Sequence, residues 1–280
     1  PMRPGPRWAD YAKVVSGLLS FPSILRLQST FPPEKSLTPI PLQAIFLDAG
    51  NTLFTERRPR HELYANLVAR FGCAERPVEM RGWMSEAYGN LPDQIDGHFR
   101  FSIGWFRHFH QSVLTQAGLP EHQLDEAHNA LVALFENPKT YHLFEEVVPF
   151  LTELANRKIP VCVISNWSER LPRLIKGLGL KDLVAFTVTS AELRSEKPSR
   201  AIFERALFRA GASAERVIHI GDHLDRDVRG ALNAGLRAIL LDRTSQHQFT
   251  RETIPVASSL HAALGFTAPA LPHSSLETNA

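Results

Sequence analysis

Residues 45–54 read IFLDAGNTLF, a short apolar run that stops at a carboxylate and is followed at once by turn-forming residues. The run, 42–47, does not alternate with polar residues, the pattern of a strand buried on both faces of a parallel sheet. Working outward, similar runs rich in Val, Ile, Leu or Phe occur at 161–164, 184–188, 217–220 and 237–241. Five parallel strands with helices between them are therefore expected. Phe144, Val147, Val148, Leu151 and Leu154 form one apolar stripe at helical spacing, and Ile202, Phe203, Ala206, Leu207 and Ala210 form another. Pro198 suits the first turn of that second helix, and Gly211 and Gly235 sit where helices should stop.

About 110 residues separate the first strand from the second, far more than a crossover helix requires. The intervening stretch has helical patterns of its own: Leu63, Leu67 and Val68; Trp105, Phe106 and Phe109; and Leu124, Leu131, Leu134 and Phe135. The fold expected is α/β: a Rossmann-like five-stranded parallel sheet flanked by helices, formed by 42–54 and 146–265, with an inserted helical cap domain at 55–145. Residues 1–41 read as a loosely ordered leader or linker, and 266–280 as a tail.

Composition narrows the function classes. At 280 residues with 44% hydrophobic and 21% charged side chains, the chain has the profile of a folded globular protein. A net charge of +2 does not suggest a dedicated nucleic-acid or membrane-surface binder. The two cysteines, Cys73 and Cys162, rule out a disulfide framework and zinc sites built from cysteine pairs, and fit a reducing, cytoplasmic location. Neither looks like a nucleophile. No run approaches the ~20 apolar residues that span a bilayer. Arg3 and Arg7 before the apolar run 14–21 resemble a secretory signal, but Asp10 and Lys13 interrupt the pattern and a small-residue cleavage site is lacking. The partner expected is a small molecule, with no nucleic acid and no membrane; oligomeric state is left open.

In an open α/β sheet, ligands bind beyond the carboxyl ends of the strands. Asp48 stands at the first such end, Ser165 at the end of VCVISNW, and Asp222 in VIHIGDHLDRD; Lys197 joins them from SEKPS. The set suits phosphoryl transfer to an enzyme carboxylate. Asp48 would attack phosphorus, and Asp48 with Asp222 would hold Mg²⁺, a hard cation that needs only one or two protein carboxylates. Lys197 would neutralise charge on the nucleophile and the transferring group. Ser165 and Thr52, with Asn166 beside Ser165, would donate hydrogen bonds to phosphoryl oxygens.

These residues, in this order, resemble the four motifs of the haloacid dehalogenase superfamily, the fourth being Gly221-Asp222 followed by Asp227. The resemblance covers roughly 42–243. The helical insertion is similar to the cap of the subgroup that includes dehalogenases, phosphoglycolate phosphatases and β-phosphoglucomutases, which closes over the site and selects the substrate. It implies Mg²⁺ bound by Asp48, Asp222 and the backbone carbonyl of Gly50, with Asp227 behind them orienting Lys197 or metal-bound water. Asp225 reads as surface charge.

One departure matters. Phosphatases of the family carry a second Asp two residues after the nucleophile, as general acid and base, and here that position is Gly50. Such catalysis is worth roughly 10²–10⁴-fold. Replacement proton carriers are Glu56 or, from the cap, His98, His108 and His110. Haloacid dehalogenases also have a non-acidic residue there, but work without metal and lack the Gly-Asp pair. Phosphonoacetaldehyde hydrolases require a cap lysine, and there is no lysine from Thr55 to Pro138. The function expected is a Mg²⁺-dependent phosphatase acting on a small phosphorylated metabolite through an aspartyl-phosphate at Asp48, slowed by Gly50. The alternative is a non-catalytic relative that binds phosphate or a partner; phosphoryl transfer to a sugar is a third option. Phe99, Phe106, Phe109 and Val113 are expected to pack, and His108 and His110 do not share a helical face. The basic cluster Arg57, Arg58 and Arg60 fits a solvated loop better than an anion site.

Overall fold

Ile45 and Leu47 pack on one side of their strand and Ala44 and Phe46 on the other, and all four are buried. This two-sided burial explains the unbroken apolar run, since a strand covered on both faces has no position left for a polar residue. The computed structural model describes residues 41–74, 76–245 and 254–266. The chain runs through β1 (Ala44–Leu47), β2 (Phe54–Glu56), α1 (Arg60–Arg70), α2 (Pro77–Asn90), a small hairpin of β3 (Gln94–Ile95) and β4 (His98–Phe99), α3 (Ile103–Gln116), α4 (Glu121–Glu136) and β5 (Tyr141–Leu143). It continues through α5 (Val147–Asn156), β6 (Val161–Ser165), α6 (Leu171–Gly177), β7 (Phe186–Thr189), α7 (Ser190–Leu193), α8 (Arg200–Ala210) and β8 (Val217–Gly221). A wide helical turn (Leu224–Arg229) then leads to α9 (Gly230–Asn233), β9 (Arg237–Leu241), β10 (Val256–Ala257) and α10 (Leu260–Leu264).

The main sheet has six strands in the order β10-β9-β8-β1-β6-β7, every neighbouring pair parallel. The sixth strand, β10, is the one not expected; it is only two residues long, too short to show in an apolar pattern. Helices α5, α6 and α10 cover the face of Ile45 and Leu47, while α8 and α9 cover the face of Ala44 and Phe46. On α5 the buried residues are Val147, Phe150, Leu151 and Leu154, and Val148 is 43% exposed, so it does not belong to the apolar stripe. Pro198 lies outside α8: Ser199 is the cap, its hydroxyl accepting from the Ala201 N–H, and the helix ends at Gly211 in the left-handed conformation (φ 60°).

Helices α1 to α4 bury a separate cluster centred on Trp105, Phe109, Met80 and Leu131. Helix α2 was not expected, because it buries only Met80 and Ala87 and contains two glycines, leaving almost no apolar period to detect. The stretches leading into and out of this layer run side by side: β2 pairs antiparallel with β5, Phe54 opposite Leu143. The helices thus stand above the carboxyl end of β1. Apart from Pro41 and Phe266, the expected leader (1–41) and tail (266–280) lie outside the described residues. No helix among the described residues is long and apolar enough to cross a membrane.

Candidate active site

Because β1 lies between β6 and β8, the ends of three strands meet at one place. Asp48 follows β1 directly and its N–H donates to the Ile220 carbonyl of β8 at 3.0 Å. The residue is buried, 8% exposed. Oδ1 of Asp48 accepts from the Ser165 hydroxyl at 3.0 Å and from Lys197 Nζ at 2.5 Å. No hydrogen bond reaches Oδ2 among the described residues. One oxygen is thus held and the other is left for a reaction partner.

Lys197 is buried, and its three ammonium protons match three acceptors: Asp48 Oδ1 and Asp227 Oδ1, each at 2.5 Å, and the Ile164 carbonyl at 3.0 Å. Burial opposes its charge, but Asp227 and Asp48 outweigh that penalty and hold the ammonium above the ordinary lysine pKa. Asp227 is buried as well, a cost offset by Lys197 and His219, which push its carboxyl well below the usual range. Its Oδ1 lies 3.0 Å from His219 Nε2, and its Oδ2 accepts from the His223 N–H at 3.0 Å. Asp227 can approach this closely because residue 221 is glycine: a Cβ there would lie 2.3 Å from Asp227 Cγ.

Asp48, Asp222 and Asp227 bring carboxylate oxygens within 4.8 Å of one another. Burial, with the negative charges of Asp48 and Asp227, raises the Asp222 pKa to about 6. A cluster of hard oxygen donors whose mutual repulsion is unrelieved by Lys197 alone fits a divalent cation. With both Asp227 oxygens engaged, Asp48 and Asp222 are the carboxylates available to hold it.

Asn166 is placed differently from the phosphate donor expected of it, and Asn51 joins the site without having been expected there. The side-chain amide of Asn166 does not stand free for a phosphate: its Oδ1 accepts from the Lys197 N–H at 2.7 Å and its Nδ2 donates to the Lys197 carbonyl at 3.0 Å. Asn51, a residue type tolerant of the left-handed backbone it adopts (φ 55°), donates from Nδ2 to Asp222 Oδ2 at 3.3 Å. That turn leaves the next side chain, Thr52, fully buried, with its hydroxyl unpartnered and not among the residues lining the cavity. Thr52 is therefore not brought to the site as expected. The Thr52 carbonyl instead accepts from Arg243 Nη2 at 3.0 Å, the Asn51 carbonyl accepts from Arg243 Nε at 3.3 Å, and Arg243 is ion-paired with Glu146 at 2.5 Å. This clamp on the loop after β1 had no sequence signal beyond a basic residue past the end of a strand.

A cavity of about 320 Å³ lies between the sheet edge and the helical layer, lined by Asp48, Gly50, Asn51, Ser165, Asn166, Lys197, Asp222 and Asp227 at one end. Of the replacement proton carriers, Glu56 and His110 line it, and His98 and His108 do not. Glu56 is ion-paired with Arg60. His110 Nδ1 is 2.8 Å from His128 Nδ1, and burial, with His128 beside it, pushes its pKa well below the usual value. Of the basic cluster, Arg60 alone lines the cavity; Arg57 and Arg58 are exposed. Asp225 is exposed and pairs with Arg229. Both cysteines are free, and burial raises the Cys162 thiol well above its ordinary pKa, which removes it as a nucleophile.

The profile of haloacid dehalogenase-like hydrolases matches residues 42–235. The chain is similar to a haloacid dehalogenase-like hydrolase domain-containing protein 3 of Danio rerio, 28% identical over 73% of this chain and 86% of that protein. It is also similar to a glyceraldehyde 3-phosphate phosphatase of Methanopyrus kandleri, 26% identical over 72% of this chain and 84% of the relative. Among solved structures, a 2-haloacid dehalogenase of Pseudomonas syringae pv. tomato superposes with a TM-score of 0.61 at 25% identity, covering 81% of this chain and 97% of that one. With a parallel sheet whose strand ends gather Asp48, Ser165, Lys197 and Asp222, and with the profile spanning most of its length, the chain belongs to the haloacid dehalogenase-like hydrolase family.

Proposed function

We propose that this hydrolase is a Mg²⁺-dependent phosphatase that acts on a small phosphorylated molecule through an aspartyl-phosphate at Asp48. The observation that carries the reading is the state of the Asp48 carboxylate, with Oδ1 held by Ser165 and Lys197 and Oδ2 without a hydrogen bond among the described residues. The free oxygen attacks phosphorus and the ester P–O bond breaks, its electron pair leaving with the alcohol oxygen. Water then attacks the phosphorus of the aspartyl-phosphate, the bond to Asp48 breaks, and the water's protons stay with the released phosphate. Lys197 and Ser165 oppose the charge that gathers on the transferring group. Mg²⁺ held by Asp48, Asp222 and the Gly50 carbonyl would add positive charge against the phosphoryl oxygens. Asp227 orients Lys197, and Asn166 fixes the backbone that carries it.

The phosphatase named among the relatives supports this reading, as does Asp222, which fits a cation site. In the same reading residues 55–145 act as a cap that selects the substrate. The two free cysteines suit a cytoplasmic setting. A second reading, a non-catalytic protein that binds phosphate or a partner, is favoured by Gly50 alone. Hydrolysis of a chromogenic aryl phosphate, with and without Mg²⁺, decides between them, with Asp48→Asn as the control. Metal-dependent turnover that disappears in the variant supports the phosphatase; no turnover assigns the chain to the binding class.

A further inference from the structure

Gly50 is where the family's phosphatases hold the acid that protonates the leaving group, and the side chain it faces at contact distance is an aromatic ring. A Cβ built on Gly50 meets one atom within 4 Å, Cζ3 of Trp167, at 3.6 Å. Trp167 is half-buried and firmly placed. Its ring stands edge-on to Phe54 (centroids 5.7 Å apart, planes at 90°) and lies 6.2 Å from Tyr141, and its carbonyl accepts from the Ala191 N–H at 3.3 Å.

The rest of the cavity continues this chemistry away from Asp48. Phe101, Phe106 and Phe135 line it with partly exposed rings. Four charged residues of the lining cancel in pairs, Glu56 with Arg60 and Glu136 with Arg170, while Arg226 lines the cavity without an ion pair among the described residues. Two of the polar groups there are occupied internally, the Tyr141 hydroxyl donating to the Phe135 carbonyl at 2.9 Å and His110 facing His128, while Tyr64 lines the cavity with no hydrogen bond to its hydroxyl among the described residues. A wall dominated in this way by aromatic rings suits a flat neutral ring better than the hydroxyl-covered body of a sugar.

We infer that the site takes a phosphate monoester whose leaving group is an uncharged aromatic hydroxyl, stacked against Trp167. This inference rests on the phosphatase reading above and names its substrate class. A phenol ionises near pH ~10, as tyrosine does, so it departs as phenolate when the ester P–O bond breaks and collects its proton from solvent afterwards. An alkyl alcohol would leave as a far more basic alkoxide and needs the acid that Gly50 does not supply. The aromatic wall and the missing acid thus select the same ester.

Two measurements test it. Turnover of 1-naphthyl phosphate, glycerol 1-phosphate and glucose 6-phosphate is compared with Mg²⁺ present, the Asp48→Asn rate being subtracted. The naphthyl ester is expected to exceed both others in kcat/KM by at least about 100-fold, the low end of what a general acid contributes. Comparable or faster turnover of either alkyl ester overturns the inference while leaving the phosphatase intact. Absence of Asp48-dependent turnover with all three overturns the phosphatase reading and this one with it. Binding separates the pocket from the chemistry: naphthylphosphonate, which is not hydrolysed, is expected to bind at least tenfold tighter than methylphosphonate, and Trp167→Ala to narrow that gap. Equal affinities in the wild type refute the aromatic wall whether or not the variant folds.

Discussion

The side-chain amide of Asn166 grips both the N–H and the carbonyl of Lys197, at 2.7 and 3.0 Å, closing a ring between the end of β6 and the residue that neutralises Asp48. This contact sets where the ammonium sits, since Lys197 lies on a connection with no regular structure of its own. Asn166→Ala leaves two partly buried backbone groups to find other partners, so it should cost about 1–3 kcal/mol of stability. It should also lower kcat at least tenfold in the aryl phosphate assay. Urea denaturation beside kinetics checks both, and an unchanged kcat would show that Lys197 is placed by something else.

Replacing Lys197 itself should be more damaging. Lys197→Met leaves Asp48 and Asp227 buried without their cation, and breaking a buried ion pair in this way costs roughly 3–5 kcal/mol. The double variant with Asp227→Asn should recover part of that loss, because one of the stranded charges is gone. Equilibrium unfolding of the three proteins measures the recovery; if the double variant is no more stable than the single, the charge argument fails.

Arg243 holds the loop after β1 from the far side, through the carbonyls of Asn51 and Thr52 and an ion pair to Glu146. Arg243→Ala should therefore lower kcat several-fold, though the guanidinium does not line the cavity. Arg243→Lys should not restore it, since a single ammonium cannot reproduce the planar fork that spans three acceptors. Full activity in the lysine variant would show that charge, not geometry, is what this position supplies.

The buried pair His110 and His128 makes stability depend on pH. Burial depresses both pKa values, reinforced by His128 for His110 and by Arg107 for His128. Unfolded histidine takes up its proton near pH ~6.5, whereas the folded pair resists it. The stabilisation is complete above that value and is lost as the pH falls towards the depressed folded values. The melting temperature should drop between pH 7.5 and 5.5, more steeply in the wild type than in His110→Gln. Parallel curves would remove the pair as the source.

Asp222 gives the metal prediction its sign. Its pKa is raised first by burial and then by repulsion from Asp48 and Asp227, which Asn51 and Lys197 relieve only in part. Asp222→Asn should thus leave the metal-free protein as stable as the wild type or more so, while abolishing stabilisation by Mg²⁺. For the wild type, Mg²⁺ at a hundred times its Kd should add about 2.7 kcal/mol. Thermal melts with and without Mg²⁺ measure both effects, and equal Mg²⁺ shifts in the two proteins would move the cation away from Asp222.

Much of this is legible in the sequence alone. Five of the six main-sheet strands show as apolar runs; β1, β6, β8 and β9 are buried on both faces, which leaves a pattern that needs no partner to be recognised, while the edge strand β7 is half-buried at Phe186 and Thr187. Asp48, Ser165 and Asp222 are legible for a related reason: they stand where those runs stop, and parallel strands put their carboxyl ends on one edge. Helix α2 and strand β10 escaped because one buries too few side chains and the other is too short.

What the sequence determined by itself, then, is the layered sheet and the edge to which Asp48, Ser165 and Asp222 come, because the burial period and the succession of elements along the chain are properties of the chain alone. The tertiary structure decided which way each polar side chain turns: Asn51 towards Asp222 and Thr52 into the interior, Asn166 onto Lys197, Arg243 across to the loop after β1, and Trp167 beside Gly50. Those choices depend on backbone angles and on partners up to about two hundred residues away, such as Arg243 and Asn51. A residue's type states which hydrogen bonds and contacts it can make; only packing brings within 3 Å or so the group with which it makes them.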